Sequence, residues 1–488
     1  MFSRVTSVAL VGVEPRAVEV EVNVTPAQRS VFAIVGLPDT AVREAKERVM
    51  AAFRTGGKRF PGGRVVVNLS PADLPKAGSA YDLPIALGVL AAIDDDHRSV
   101  ADVVALGELG LDGRVRPVRG GFGAALVGRQ LGKRVLLPAE SAGDASSLEG
   151  STVYGVATLA DAVSVGLGGG VPAKPLPAAS LSDGPDLSEV RGQLAARRAL
   201  EVAAAGGHHL LMSGPPGVGK TLLARCMPAL LPPLTSDEQL EVGLAWAAAG
   251  LARFGESSPP FRSPHHSATT PALVGGGSGI PVPGEVTLAH RGVLFLDELG
   301  EFAPPLLDAL RQPIEDGRVT IARKGATVTY PSRFQLLAAT NPCPCGFHND
   351  NVRQCSCTRR AIDRYKSRLS GPLLDRFDLR IDLTRVDHAE LAGPPGQPSQ
   401  SVRSRVNAAR KRQDARGALN AALSRNELDG LEWSGDAGQL LDKAVVAHQL
   451  SPRGWERVRR VAVTIADLAE STVIGGDHVA EALAYRVT

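Results

Sequence analysis

His209-Leu210-Leu211-Met212-Ser213-Gly214-Pro215-Pro216-Gly217-Val218-Gly219-Lys220-Thr221-Leu222-Leu223-Ala224-Arg225 runs from apolar residues through a glycine-rich turn into the opening of a helix. A buried strand that turns through such a loop into a helix aims backbone N–H groups at a polyphosphate. Gly214, Gly217 and Gly219 let the backbone close around the phosphates. Pro215, Pro216, Val218 and Leu222 complete the expected nucleotide contacts. Lys220 is placed to reach the β/γ oxygens, and Thr221 to put a hydroxyl on Mg²⁺. A chance glycine-rich turn is the alternative for the string alone.

Downstream, Val293-Leu294-Phe295-Leu296-Asp297-Glu298 sets two carboxylates at the end of four apolar residues. Such a run suits a buried parallel strand, and open α/β sheets present their chemistry at the C-terminal edge. Asp297 is expected to hold Mg²⁺ and its waters, and Glu298 to orient and deprotonate the attacking water. A GTPase site more often positions water with Gln, so the Asp-Glu pair favours ATP. A third apolar run, 334–339, ends in Thr340-Asn341, which sets an amide beside the γ-phosphate.

The chain has 488 residues, enough for about three domains. Its formal charge of +3 argues neither for nor against nucleic acid. Aromatics are only 4%, so any such contact should lean on Arg and Lys. The longest uncharged apolar stretch, 83–93, is too short to span a bilayer. The N-terminus alternates Val8, Leu10, Val11, Val18, Val20 and Val22 with polar residues and has no signal-like core. A cytoplasmic enzyme without a membrane partner is expected. Residues 166–185 and 393–401, rich in Gly, Pro, Ser and Ala or Gln, read as linkers. They divide the chain into 1–165, with strand-like 64–68 and 133–137 alternating with helical 39–53 and 81–92; the nucleotide core 186–392; and a helical region 402–488, with Val458, Val461, Ile465 and Leu468 at helical spacing.

These segments resemble magnesium-chelatase-like AAA+ ATPases of the ComM/YifB kind. The resemblance is carried by Gly192-Gln193, the run Ala203-Ala204-Ala205-Gly206-Gly207-His208, the phosphate loop, Ser263-Pro264-His265-His266-Ser267, Pro283-Gly284-Glu285 and Ala289-His290-Arg291-Gly292 with the strand that follows. It continues through Asn341-Pro342-Cys343-Pro344-Cys345-Gly346, Gly371-Pro372-Leu373-Leu374-Asp375-Arg376-Phe377-Asp378 and Ser451-Pro452-Arg453, and covers essentially the whole chain. It implies a Lon-protease-like α+β N-terminal domain, an AAA+ parallel-sheet core, an all-α lid and a homo-hexameric motor. Arg376 matches the arginine finger that enters the neighbour's site; an ion pair with Asp375 or Asp378 is the plainer reading. Arg453 matches the lid's sensor arginine and Asn341 the polar sensor. His265 and His266 match the family without a derivable role, and a structural pair is expected.

Residues 318–330 alternate β-formers around Lys324-Gly325, a hairpin with a basic tip. In this clade the hairpin points into the ring pore, where Arg323 and Lys324 would track a DNA backbone; a solvated turn is the alternative. Residues 235–279 would include the clade's other insertion, with a mobile Gly275-Gly276-Gly277-Ser278-Gly279 tract. Cys343, Cys345, Cys355 and Cys357 have the chemistry for a tetrahedral Zn²⁺ site, His348 being a possible substitute ligand; four reduced thiols are the alternative. The basic stretch Arg359, Arg360, Arg364, Lys366 and Arg368 follows that loop, and a metal there would hold it in place. Cys226, on the helix after the phosphate loop, reads as core.

In the Lon-like region a gapless match puts Ala80 at the nucleophile position, with Ser79 displaced by one, and Gly123 at the lysine position. Both halves of a Ser–Lys dyad are missing, so this region reads as a docking and oligomerisation module. The resemblance implies a DNA translocase or helicase promoting branch migration in recombination or transformation. A chelatase-type motor and a protein remodeller without DNA are the alternatives.

Overall fold

A computed structural model describes residues 1–76, 78–94, 100–175, 184–253, 255–277, 281–323, 326–369, 371–447 and 450–486. The N-terminal region is built on a seven-stranded mixed sheet. Its long hairpin, Phe2–Val11 with Glu14–Thr25, is antiparallel, and Val103–Ala105, Arg134–Pro138 and Val153–Val156 extend it in parallel. Val18, Val20, Val22 and Val24 alternate inward, as a strand with one covered face requires. Helix Asp82–Ile93 is buried along nearly its whole length. It carries one carboxylate inside: Asp82 accepts from Arg48 Nε at 2.6 Å and from the Leu109 amide at 3.1 Å, so this buried charge is paired.

The nucleotide core is a five-stranded parallel sheet ordered Phe261–Arg262, Val293–Leu296, Gln335–Thr340, Leu210–Ser213, Leu379–Asp382. Val293–Leu296 and Gln335–Thr340 are buried at every residue, which is why their sequences are continuous apolar runs and not alternations. The register sets Leu296 beside Ala338 and Ser213 beside Thr340, so the three chemically important strand ends share one edge.

The C-terminal helices Ser399–Arg416, Gly435–Ala447, Pro452–Leu468 and Gly476–Ala484 share one hydrophobic cluster with Leu210, Met212 and Leu223 of the sheet layer. The first of them begins inside the stretch 393–401. Polar side chains fasten it to the core: Arg410 donates to the Ala204 carbonyl at 2.6 Å and Gln413 to the Ala205 carbonyl at 2.8 Å.

The expected hairpin forms, with Arg318–Arg323 antiparallel to Ala326–Pro331 and Arg323 opposite Ala326. Lys324 and Gly325, at its tip, lie outside the described residues. Val319, Ile321, Val328 and Tyr330 face inward, Arg318 and Thr320 face out, and Arg323 is exposed at the end of its strand. The hairpin leans on the N-terminal region, where a Cβ on Gly12 would stand 2.7 Å from a Val328 methyl. Gly275 and Gly276 are not loose, contrary to the expectation for that tract. They are buried, pair with Val282–Pro283, and let Ile321 approach where a Cβ on Gly275 would meet its methyl at 2.7 Å. Backbone proximity, and not mobility, explains these two glycines.

Candidate active site

Gly217 and Gly219 take left-handed backbone angles, φ 82° and 95°, which glycine adopts without steric cost. Gly214 is fixed for another reason: a Cβ there would stand 2.6 Å from the Leu383 carbonyl. The helix Lys220–Leu230 then starts with its free N–H groups toward a cavity of about 350 Å³. Pro216, Gly217, Gly219, Lys220, Thr221, Leu222, Asp297, Glu298 and Asn341 all line it, together with Ala339 and Thr340. Three separate runs of sequence thus meet at one place.

Within it, Thr221 Oγ1 donates to Asp297 Oδ2 at 2.7 Å, the pair whose oxygens would hold Mg²⁺. A hydroxyl beside a carboxylate is the oxygen donor set this hard cation takes, and the ion would supply charge neutralisation at the phosphates. Lys220 Nζ donates to the Gly214 and Pro215 carbonyls at 2.6 and 2.9 Å and to Asn341 Oδ1 at 3.1 Å. Burial pushes the Lys220 ammonium down to about 8, against the pull of Asp297 and Glu298 in the other direction. Glu298 has φ 53°, a left-handed conformation uncommon for a residue with a side chain, and its amide donates to Asp297 Oδ1 at 3.0 Å. Such conformations cluster at functional sites.

Residues to which the sequence assigned no role at the nucleotide site also reach this place. His266 Nδ1 lies 3.6 Å from Glu298 Oε2, and its ring stands 4.0 Å from that of His265. The two histidines do form a pair, but one of them also faces the carboxylate expected to activate water. The contact follows from strand pairing: Phe261–Arg262 runs parallel to Val293–Leu296, so polar residues just beyond either strand fall side by side. Gln193 donates to the Thr384 carbonyl at 2.7 Å and to Val218 at 3.4 Å, bridging the loop from behind.

Arg376 does not line this cavity. It is buried and ion-paired with Glu315, and it donates to the Pro372 carbonyl at 2.9 Å. The pairing expected with Asp375 or Asp378 is not formed. Asp378 instead lies 3.5 Å from His208 Nδ1 and 3.4 Å from Arg457, with its carboxyl held at about 2; burial opposes this ionisation and the His208 and Arg457 contacts prevail. Arg453 is exposed, at the second residue of helix Pro452–Leu468.

Cys343, Cys345, Cys355 and Cys357 converge, with all four Sγ atoms within 4.8 Å of one another. Three of the separations are 3.4, 3.5 and 3.7 Å. Tetrahedral Zn–S bonds of ~2.3 Å imply edges of ~3.8 Å, so the donor set and its spacing fit the ion. Cys226 stands apart and buried. In the N-terminal region Ser79 Oγ donates to Glu108 and Lys76 to the Pro71 carbonyl. Gly123 packs where a Cβ would stand 2.9 Å from Pro15.

Three family models match in sequence order. They are the subunit ChlI of Mg-chelatase over residues 20–141, magnesium chelatase subunit ChlI over 186–391, and its C-terminal part over 396–486. The chain is 41% identical to YifB of Escherichia coli over 98% of its length and 96% of that protein's. It is 40% identical to the competence protein ComM of Haemophilus influenzae over 99% of this chain and 97% of ComM. The chain belongs to the magnesium-chelatase-like AAA+ family of YifB and ComM. A stretch of 139 residues is also 35% identical to Lon protease 2 of Bacillus subtilis. This gives the AAA+ core its ATP and Mg²⁺ chemistry, with a Lon-like α+β domain before it and a helical lid behind. No helix among the described residues is long and apolar enough to cross a membrane.

Proposed function

We propose that this YifB/ComM-family chain is an ATP-driven ring motor that moves along DNA, a translocase or helicase suited to branch migration in recombination or transformation. The observation that carries the motor is the convergence of Lys220, Thr221, Asp297, Glu298 and Asn341 on one cavity. Thr221 and Asp297 take Mg²⁺, Lys220 and the loop amides take the phosphates, and Asn341 contacts Lys220. Glu298 removes a proton from the attacking water as it adds to the γ-phosphorus, while the bond from that phosphorus to the β,γ-bridging oxygen breaks and ADP leaves.

The DNA part is supported by the exposed Arg323 beside the hairpin tip and by the similarity to the competence protein ComM. In a hexamer, Arg323 and Lys324 from each subunit would line a pore and follow a phosphate backbone. Arg376 leaves Glu315 and enters the neighbouring subunit's site, and Arg453 contacts nucleotide from the lid of its own subunit. The four cysteines hold a structural Zn²⁺, a conclusion that metal analysis of the purified protein checks at one ion per chain.

The deciding experiment is the ATPase rate of the purified protein with and without forked or four-way DNA. Stimulation that disappears at high salt supports the DNA motor. A rate indifferent to DNA at low salt favours a chelatase-type motor or a remodeller of protein partners.

A further inference from the structure

Helix Arg359–Arg368 carries five cations and one carboxylate in ten residues. Its N-cap Thr358 accepts from the Ala361 amide at 3.3 Å, and only Ile362 and Tyr365 turn inward. Arg359, Arg360, Arg364, Lys366 and Arg368 are exposed, and among the described residues only Arg359 has an ion pair, with Asp363 at 3.5 Å. Arg360, Arg364 and Arg368 stand four residues apart, one above another on a single face in steps of ~6 Å. Four of the five cations are arginines, whose planar fork suits phosphate oxygens. Arg353, over the Phe347 ring at 4.4 Å, adds another guanidinium on the loop that leads into the helix.

Both ends of this element are tied to the active site. Cys343 lies two residues after Asn341, and Cys357 two residues before Arg359, so a metal held by the four converging cysteines would clamp the helix entry to the end of strand Gln335–Thr340. On the same loop Gly346, at φ 84°, rests on the phosphate loop; a Cβ there would meet Pro216 at 2.6 Å. On the helix's inner face, the Tyr365 ring covers Gly300 so closely that a Cβ at Gly300 would collide with it. The Tyr365 side chain lines a pocket together with Thr340 and Asn341, which are themselves joined by a 3.2 Å hydrogen bond from Thr340 Oγ1 to the Asn341 carbonyl. One side chain therefore touches the segments that follow Glu298 and that contain Asn341.

We propose that the outer face of helix Arg359–Arg368, clamped by the cysteine cluster, is a second docking site for the DNA phosphate backbone, and that Tyr365 relays its occupancy to the ATPase site. This rests on the DNA reading given above, and it adds a contact outside the hairpin. Tyr365 acts as a positioning residue, through Asn341 and Gly300.

The test uses the full chain with labelled forked DNA over a salt series. Replacing Arg360→Gln and Arg364→Gln together should lower the log–log salt slope of binding by about 1.4 for single strands or 1.8 for duplex, at about 0.7 or 0.9 per lost contact. Arg360→Lys with Arg364→Lys keeps the charges and should keep the slope, with size-exclusion profiles checking the assembly of both proteins. Tyr365→Phe keeps the ring against Gly300; it should bind DNA like the parent and lose most of the DNA stimulation of ATP hydrolysis. A parental slope in the Gln protein, alongside a reduced slope for Arg323→Ala, overturns the platform and leaves the DNA motor standing. Displacement of the DNA by poly-glutamate as readily as by unlabelled DNA assigns the face to acidic protein and overturns it too. Full stimulation in Tyr365→Phe removes the relay. If the parent binds no DNA even at low salt, the DNA motor itself fails and the platform falls with it.

Discussion

In the proposed mechanism Glu298 is the residue that activates the attacking water. Replacing Glu298→Gln leaves Lys220, Thr221 and Asp297 in place, so ATP binding should persist while kcat falls about 10²–10⁴-fold, the usual range for loss of a general base. Fluorescent-nucleotide binding beside single-turnover hydrolysis separates the two. Lys220 adds a pH dependence whose sign follows from its burial. The free site holds this ammonium down to about 8, and phosphate binding favours the charged form. ATP affinity should therefore be full below pH 8 and fall by up to tenfold per unit above it, until the pKa of the bound state is reached. Calorimetry at pH 8.5 in buffers of different ionisation enthalpy should register proton uptake on binding, and a flat affinity from pH 7 to 9.5 would contradict it. These residues were legible in the sequence because each ends or follows an apolar run, and a parallel sheet gathers such ends at one edge. His266 and Tyr365 were not read as parts of the site. Their contacts with Glu298, Gly300 and Asn341 depend on strand adjacency and helix packing between segments far apart in the chain.

At the scale of elements, the basic hairpin was readable from alternation around Lys324-Gly325, and its packing was not. Its inner residues rest on Gly275 and on Gly12 of the N-terminal region, places that single out glycine only once the neighbouring chain is known. That buried base leaves the tip free to be altered without disturbing the fold. Replacing Arg323 and Lys324 with Ala should reduce the salt slope of DNA binding by about 0.7 per lost contact on single strands or 0.9 on duplex. DNA-stimulated hydrolysis and strand displacement should fall together, and ATPase without DNA should remain. An unchanged slope with unchanged strand displacement would take the hairpin out of the DNA path. The lid shows a different limit of sequence reading: the Pro/Gly-rich break before it marks a turn in the chain, yet the helices beyond share the core's hydrophobic cluster.

For the whole molecule, the position of Arg376 is the informative feature. It is buried against Glu315 and does not line its own chain's nucleotide cavity, so the proposed service to a neighbour requires that it leave this pair. Arg376→Ala should retain nucleotide affinity and lose about 10³–10⁵ in rate. Mixed with Lys220→Ala protein under subunit exchange, it should regain part of the activity, because some junctions then join an intact loop to an intact finger. No recovery in exchanging mixtures would leave Arg376 as a partner of Glu315 alone. The sequence pattern pointed to a shared site; the fold of one chain brings Lys220, Thr221, Asp297, Glu298 and Asn341 to one cavity and leaves Arg376 outside it.

Separation of labelled forked and four-way DNA by the assembled protein tests whether hydrolysis at Glu298 drives movement on DNA. The parent with ATP and Mg²⁺ should separate the strands, while Glu298→Gln should bind the same DNA and leave it intact. Equal strand separation by the two proteins, or DNA binding by the parent with no separation under any nucleotide condition, would contradict the account.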